Sequence, residues 1–351
     1  MRKTVLVVGD LMMNDEKFEP SLNRFITYKH RLNNRNIGVL FITYDDLAAK
    51  RLPNVSTKRL DVMLFFPYNH WNEEIERYDR DERIYGDLNF GEDFKKFFLM
   101  VNSTIKRKYR YHDLRFINPP TSCIIDRDKE KTYQALKRAG IRSPIIYRVK
   151  SASDVKGLIG KGISLYAKPR FGAMGKGITY INQRGCYTNF IFRKNRIHNR
   201  LHDYNWKAVK ISQKNQSQFL KTLIDKGFIF QEAIYTPVVR GRKFDMRIYC
   251  IYNRVPYMYA KSTQAKNFIT NWSQGGRIEK KKSFLKRAIG DKAIREAILL
   301  AKKSARALKL NYAGVDVIFD RKRRELYVLE IQSFPGYERG FKLMKFLADN
   351  I

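Results

Sequence analysis

The sequence predicts an α/β protein on three observations. Its first ~118 residues alternate short apolar runs with polar stretches of helical pattern, as strands feeding helices in one open layer would. A strand, a glycine-rich loop and a second strand follow in "YAKPRFGAMGKGITYI", residues 166 to 181. The last third is rich in strand patterns and closes with "YAGVDVIFDRKRRELYVLEIQSFPG", two strands around a basic turn.

Taken in order, "TVLVVGD" reads as the first strand. Its basic and then apolar start is like a signal peptide, but Gly9-Asp10 breaks the run. "SLNRFITYKHRLNN" reads as a helix capped by Ser21, and "IGVLFITY" and "DVMLFFP" as further strands. Gly9 stands alone after strand one, so a dinucleotide fingerprint is absent. "NPP" at 118 to 120 marks the end of an N-terminal domain, 1–118. Asp126 or Asp128 then caps a helix with Tyr133, Leu136 and Ala139 on its apolar side, and Gly140 ends it. Residues 183–226 carry ten Lys/Arg against two Asp, with Tyr187, Phe190, Phe192, Tyr204 and Trp206 among them. These aromatics read as a local core under a basic surface, or as platforms for stacked bases. "FIFQEAI" is an apolar strand ending at Gln231 and Glu232. "RKFDMRIYCIY" alternates, with Phe244, Met246, Ile248 and Cys250 on one face and Asp245 and Arg247 on the other. Residues 291–309 form an amphipathic helix with Ile294, Ala297, Ile298, Ala301, Ala305 and Leu308 in one stripe.

Charge narrows the company the protein keeps. Seventy Lys/Arg against 34 Asp/Glu give a net +36, which attracts polyanions: nucleic acid, ribosomes, acidic peptides or anionic surfaces. A polyanion-rich environment is the alternative that needs no binding function. No apolar run reaches the ~20 residues of a membrane span. Three scattered cysteines indicate neither a disulfide framework nor a zinc site and suit a reducing cytoplasm. In "HNRLH", His198 and His202 fall one helical turn apart without an acidic partner, so a solvated surface is expected.

Two features carry chemistry. Gly172, Gly175 and Gly177 free the backbone N–H groups of their loop to approach an anion, and Lys168 stands just before it. A tight hairpin with positive-φ glycines would use the same residues. If the final turn is centred on Arg323, Asp316 and Glu330 face each other across the hairpin within apolar strands. Their burial requires a cation. Two carboxylates without His or Cys suit Mg²⁺ bridging to phosphate oxygens, with Mn²⁺ as a substitute; pairing with arginines is the competing account. A Walker loop and the protein-kinase motifs are absent.

In order and spacing, "DK…AGI..P" (128–144), "YAKPRFGAMGKGI", "FQEAI", "GRKFDMRIY", "NFITNWSQGG" and "GVDV…LEIQSFPG" resemble the ATP-grasp superfamily, closest to its RimK-type amino-acid ligases. The D-x-R strand is also similar to that of tubulin tyrosine ligase. The resemblance spans about residues 119–340. It implies an ATP-grasp fold of two subdomains, 119–228 with the lysine strand and glycine loop and 229–351 with the metal site. Activity is implied as well: a carboxylate–amine ligase that uses ATP and releases ADP and phosphate through an acyl phosphate.

By the same resemblance, Lys129 and Lys168 contact nucleotide phosphate. Gln231, Glu232, Ala233 and Ile234 form the hinge against adenine, and Asp245 lies in the nucleotide site. Asn271 sits near the transferred phosphate, Arg247 contacts the substrate carboxylate or acyl phosphate, and Gln332 joins Asp316 and Glu330 at the metal. Lys176, in a mobile loop, is expected to matter less than Lys168. Two departures stand out: Ile269 replaces a common arginine, for which Arg277, Lys266 or Arg247 would have to substitute, and Gln332 replaces an asparagine. A catalytically weakened scaffold that binds nucleic acid or an acidic protein is therefore the rival reading.

Overall fold

The computed structural model describes residues 3–11, 22–76, 83–200, 206–336 and 342–351. The N-terminal layer is a four-stranded parallel sheet. Lys3–Val8 lies between Ile37–Ile42 and Arg59–Leu64, and Asp113–Phe116 forms the far edge. Val5 to Val8 are fully buried, as expected where both faces of a parallel strand are covered. One cover is the helix Leu88–Lys108. Asp87 caps it by accepting from Asn89 N, and Lys106, Arg107 and Lys108 oppose the negative end of its dipole. Its Phe90, Phe94, Phe98 and Val101 are all at most 1% exposed. The other face packs against Leu22, Phe25 and the C-terminal helix Leu343–Asn350. The helix expected from residue 21 is two short pieces, Leu22–Ile26 and Lys29–Asn33; Ser21, its expected cap, lies outside the described residues.

The "NPP" joint is tightly bound. Pro120 opens the helix Pro120–Arg127, where its missing N–H costs nothing. Asn118 donates to Tyr312 O (2.6 Å) and Ser333 O (3.2 Å), and accepts from Asn311 N and Tyr312 N, both at 3.0 Å.

A second, antiparallel sheet runs Val209–Ile211, Gly185–Thr188, Thr179–Asn182, Leu165–Lys168, Ile229–Glu232, Ile146–Tyr147. Leu165, Ala167 and Ile181 bury against helices Ala152–Gly160 and Gln216–Asp225. Alternation turns Tyr166 and Lys168 to the opposite face. Phe190 (0%) and Trp206 (3%) are buried, so at these positions the basic segment has a local core and no exposed stacking platform. Tyr204 and His202 lie outside the described residues, and His198 ends a strand rather than lying on a helix.

The third sheet is antiparallel, in the order Arg277–Glu279, Arg254–Gln264, Arg242–Ile251, Tyr312–Asp320, Glu325–Gln332. Phe244, Met246, Ile248 and Cys250 pack with Ala297, Ala301 and Ala305 of the helix Lys282–Ala307. That helix begins before the expected 291, across a break where Gly290 adopts φ 79°. All three cysteines are free and buried. Among the described residues no helix is long and apolar enough to cross a membrane.

Candidate functional site

A cleft opens between the second and third sheets. Its walls include Lys129, Lys168, Gly172, Gly175, Glu232, Ile234, Asp245, Asn271, Asp316 and Glu330, so ten of the residues singled out from sequence converge there. Gly177, Gln231, Ala233, Arg247 and Gln332 are not on the wall.

Lys168 ends its strand facing the cleft and donates to Gln231 Oε1 at 2.6 Å. Burial pushes its ammonium down to about 8, against the opposing pull of Glu330. Lys129 is the first residue of helix Lys129–Arg138. The cap is Asp128, which accepts from Glu130 N and Lys131 N and takes both Nε and Nη2 of Arg170, at 2.7 and 2.8 Å. Asp126 instead accepts from Ser333 N, and burial pushes its carboxyl up to about 7. Lys129 Nζ lies 3.1 Å from Glu330 Oε1 and donates to Gly172 O.

The loop glycines are required for space as well as for backbone freedom. Gly177 has φ +72°, and a Cβ there would fall 2.6 Å from the Phe190 ring. At Gly175, φ +69°, a Cβ would meet Ile269 and Asn271 at 3.1 Å. Lys176 departs from expectation. It is 2% exposed, pairs with Glu76, and holds its ammonium 4.3 Å from the Tyr85 ring centroid.

On the closing hairpin Asp316 and Glu330 are cross-strand partners, beside a bulge at Asp316/Val317. Asp316 is 4% exposed. It accepts from Arg247 Nε (2.6 Å) and Nη2 (3.1 Å) and from Lys261 Nζ (2.8 Å). Burial alone would raise its carboxyl, but Arg247 and Lys261 outweigh this and hold it at about 2. Lys261 also lies 2.9 Å from Asp245 Oδ1. Burial raises the Asp245 carboxyl in spite of Lys261, and its Oδ2 accepts from Thr270 Oγ1. The pairing account from sequence thus holds for Asp316. Arg247, expected to meet substrate, spends two nitrogens on Asp316 because neighbouring strands bring them into register. Glu330 is pulled below the usual range by Lys129, against its burial, and accepts from Gln332 Nε2 at 3.2 Å.

At the hinge, Glu232 N donates to Ile145 O (2.8 Å) and Ala233 N to Ser164 O (2.9 Å). Those two backbone donors, expected to face adenine, are taken by neighbouring chain segments. Gln231 and Ala233 are 4% and 6% exposed, and Gln231 serves Lys168. Glu232 Oε1 accepts from Arg323 of the basic turn, while Oε2 is buried with no hydrogen-bond partner among the described residues.

Sequence reasoning missed Lys243, Lys261 and Thr270, which line the cleft. Lys261 had a legible signal, since it follows the apolar run of the strand Arg254–Gln264, and the structure pairs it in register with Asp245. Burial pushes Lys243 down to about 8. Ile269 is on the wall; of Arg277, Lys266 and Arg247 none is, whereas Lys261 is. Five lysines and four acids line the cleft, a set of charges that suits a polyphosphate and a hard cation. Among the described residues no group of three or more His, Cys, Asp or Glu could hold a metal. Asp316 and Glu330 could together hold Mg²⁺ of the kind that draws its remaining ligands from substrate phosphates and water, with Asp316 sharing its oxygens with Arg247 and Lys261.

Residues 114–345 match the family model described as YheC/D-like ATP-grasp. No curated protein sequence matches the chain. Solved structures do. The ATP-grasp ligase PsnB, complexed with a minimal precursor, aligns at TM-score 0.55 and 16% identity, over 99% of this chain and 98% of that one. A RiPP-associated ATP-grasp ligase of Chryseobacterium gregarium, in complex with ADP and a leader and core peptide, aligns at 0.56 and 14%, over 99% and 96%. D-alanine–D-alanine ligase of Bacillus anthracis with ATP aligns at 0.51 and 13%, over 98% and 90%. The branch matched is YheC/D-like, so the RimK-type resemblance holds at the level of the superfamily.

Proposed function

The chain belongs to the YheC/D-like ATP-grasp family, and from that premise we propose that it is an ATP-dependent carboxylate–amine ligase. One observation carries the reading: Lys129, Lys168, Asp316 and Glu330 line the same cleft beneath the glycine loop. A carboxylate oxygen of the substrate attacks the terminal phosphorus of ATP. The bond to the bridging oxygen breaks and ADP leaves. An amine then attacks the acyl carbon of the resulting acyl phosphate, phosphate departs, and the nitrogen gives up a proton as the amide forms.

Lys129 and Lys168 hold phosphate oxygens, and Lys261, beside Asn271 at 3.5 Å, is the cation placed to meet charge developing on the transferred group. Arg247 acts through Asp316, whose carboxylate it orients. Glu232 and Ile234 bound the adenine end, with Oε2 of Glu232 awaiting a donor. Mg²⁺, or Mn²⁺ in its place, would be held by Asp316 and Glu330 with Gln332 adjoining, and would neutralise phosphate charge.

The acceptor is proposed to be an acidic peptide or protein. PsnB was solved with a precursor peptide and the Chryseobacterium enzyme with a leader and core peptide, and the net +36 here attracts acidic chains. The same charge supports association with nucleic acid or ribosomes, in a cytoplasmic setting. Residues 1–118, 119–228 and 229–351 are proposed as N-terminal, lysine-strand and metal-binding units.

The test is trapping. With Mg-ATP, a panel of amino acids, di-acids and acidic peptides, and hydroxylamine in place of the amine, a hydroxamate should form in step with ADP. AMP as the nucleotide product would overturn the mechanism.

A further inference from the structure

Arg127 closes the helix Pro120–Arg127, two residues before Lys129. Its guanidinium carbon lies 4.1 Å from the ring centroid of Trp71, 5.5 Å from that of Phe94 and 5.9 Å from that of Phe66. Trp71 and Phe94 are 4% and 1% exposed, so the cage is packed and apolar. Nε is buried without a hydrogen-bond partner, and neither Nη has one, nor an ion pair, among the described residues. The neighbouring Asp126 carboxylate turns to Ser333 N instead. Arg127 is nevertheless partly exposed, and with Nε buried its two Nη groups are the edge that solvent reaches. Rings attract the charge but accept none of the five N–H donors in the guanidinium plane. A methionine would fill the same cage without burying an unpaired donor.

The cage stands between two parts of the candidate site. Phe66 meets Phe334, on the exit from the closing hairpin, with centroids 5.7 Å apart. On the other side Trp71 meets Phe90 at 6.0 Å and Phe90 meets Tyr85 at 5.8 Å, and Tyr85 accepts from Ala173 N of the glycine loop. Cations nearer the phosphates are engaged already: Lys129 with Glu330, Lys168 with Gln231, and both Arg247 and Lys261 with Asp316. Arg127 is not on the cleft wall, whereas the carboxylate that reacts must reach the terminal phosphate inside the cleft. We infer that Arg127 binds a second, unreactive carboxylate of the acid substrate, one N–H from each Nη meeting one carboxylate oxygen. It thereby selects acids that carry a further carboxylate over simple monoacids. The rings hold the fork in one orientation, which lowers the cost of ordering it on binding. The inference rests on the ligase reading.

The experiment labels the full chain with phenylglyoxal, which adds to the two Nη groups of an accessible guanidinium, and reads each arginine by peptide mass. With Mg-ADP present, glutarate or triglutamate should slow labelling of Arg127 about tenfold or more, the worth of a charge-assisted pair. Triglutamine should not slow it, and Arg287, exposed on the helix Lys282–Ala307, should be labelled at one rate throughout. Whichever of the two acids protects tells a free di-acid from a peptide segment. Absence of protection by both overturns the inference, and so does equal protection by triglutamine or equal protection of Arg287. In turnover, Arg127→Met should raise KM for the acid about tenfold or more and leave KM for ATP unchanged, with Arg127→Lys between it and wild type. An unchanged KM for the acid in a folded Arg127→Met protein also overturns it. No turnover with any acid would count against the ligase reading alone, and the labelling would still decide the role of Arg127.

Discussion

Replacing Lys168 with methionine keeps the stem of the side chain and removes the ammonium. A charged donor to phosphate oxygens contributes about 1.5–3 kcal/mol per bond. Losing one or two such bonds should weaken ATP binding by about 2–4 kcal/mol, or roughly thirty- to a thousand-fold in Kd. The pH profile gives a second reading. Burial holds the free ammonium at about 8, so above that pH the empty protein carries a neutral amine. Binding phosphate then requires proton uptake, and the complex holds more protons than the free protein. Affinity should therefore fall as pH rises through 8, by up to about tenfold per unit. Lys168→Met should lose its share of that slope and keep the share of Lys243, which is also at about 8. Calorimetric titration with ATP at pH 7 and pH 9, with thermal unfolding as the control for folding, measures both effects. A wild-type Kd at pH 7 in a folded Lys168→Met protein would refute the reasoning.

The two hairpin acids should separate when mutated. Glu330→Gln should leave thermal unfolding near wild type and abolish Mg-dependent ATP turnover; normal turnover would remove Glu330 from the metal site. Asp316→Asn should also unfold more easily, by about 3–5 kcal/mol in denaturant titration, because Arg247 and Lys261 lose their shared partner. The Asp316 carboxyl sits at about 2 in the fold against 3.8 ordinarily. Its stabilisation is thus complete above 3.8 and lost as pH falls through about 2, a loss that Asp316→Asn should not show. Binding of RNA and of poly-acidic peptide should weaken steeply between low and physiological salt, because association releases bound counterions. Absence of both at low salt would make the +36 an adaptation to environment.

Much of the fold was legible because its signals are local. Period-two alternation from Phe244 to Cys250 set which face of that strand meets the helix. The closing hairpin turns between Lys322 and Arg323, half a residue from the expected centre, and the bulge at Asp316/Val317 restores Asp316 to its place opposite Glu330. Gly140 ended its helix with φ +64°. The glycine loop announced itself, since Gly175 and Gly177 stand where a side chain meets both positive φ and a neighbour. What sequence left open was the choice among equivalent partners. Asp126 and Asp128 are equally good caps on paper; Arg170, 42 residues away, and Ser333, 207 away, decided between them. Lys176 looked like a mobile loop lysine until the N-terminal layer brought Glu76, 100 residues distant, against it. Arg247 looked free for substrate until the strand order set it beside Asp316 and set Lys261 opposite Asp245. Periodicity fixes the face a side chain takes, because it is a property of one backbone segment. The charge that meets it there depends on which segments pack side by side, and only the assembled sheet determines that.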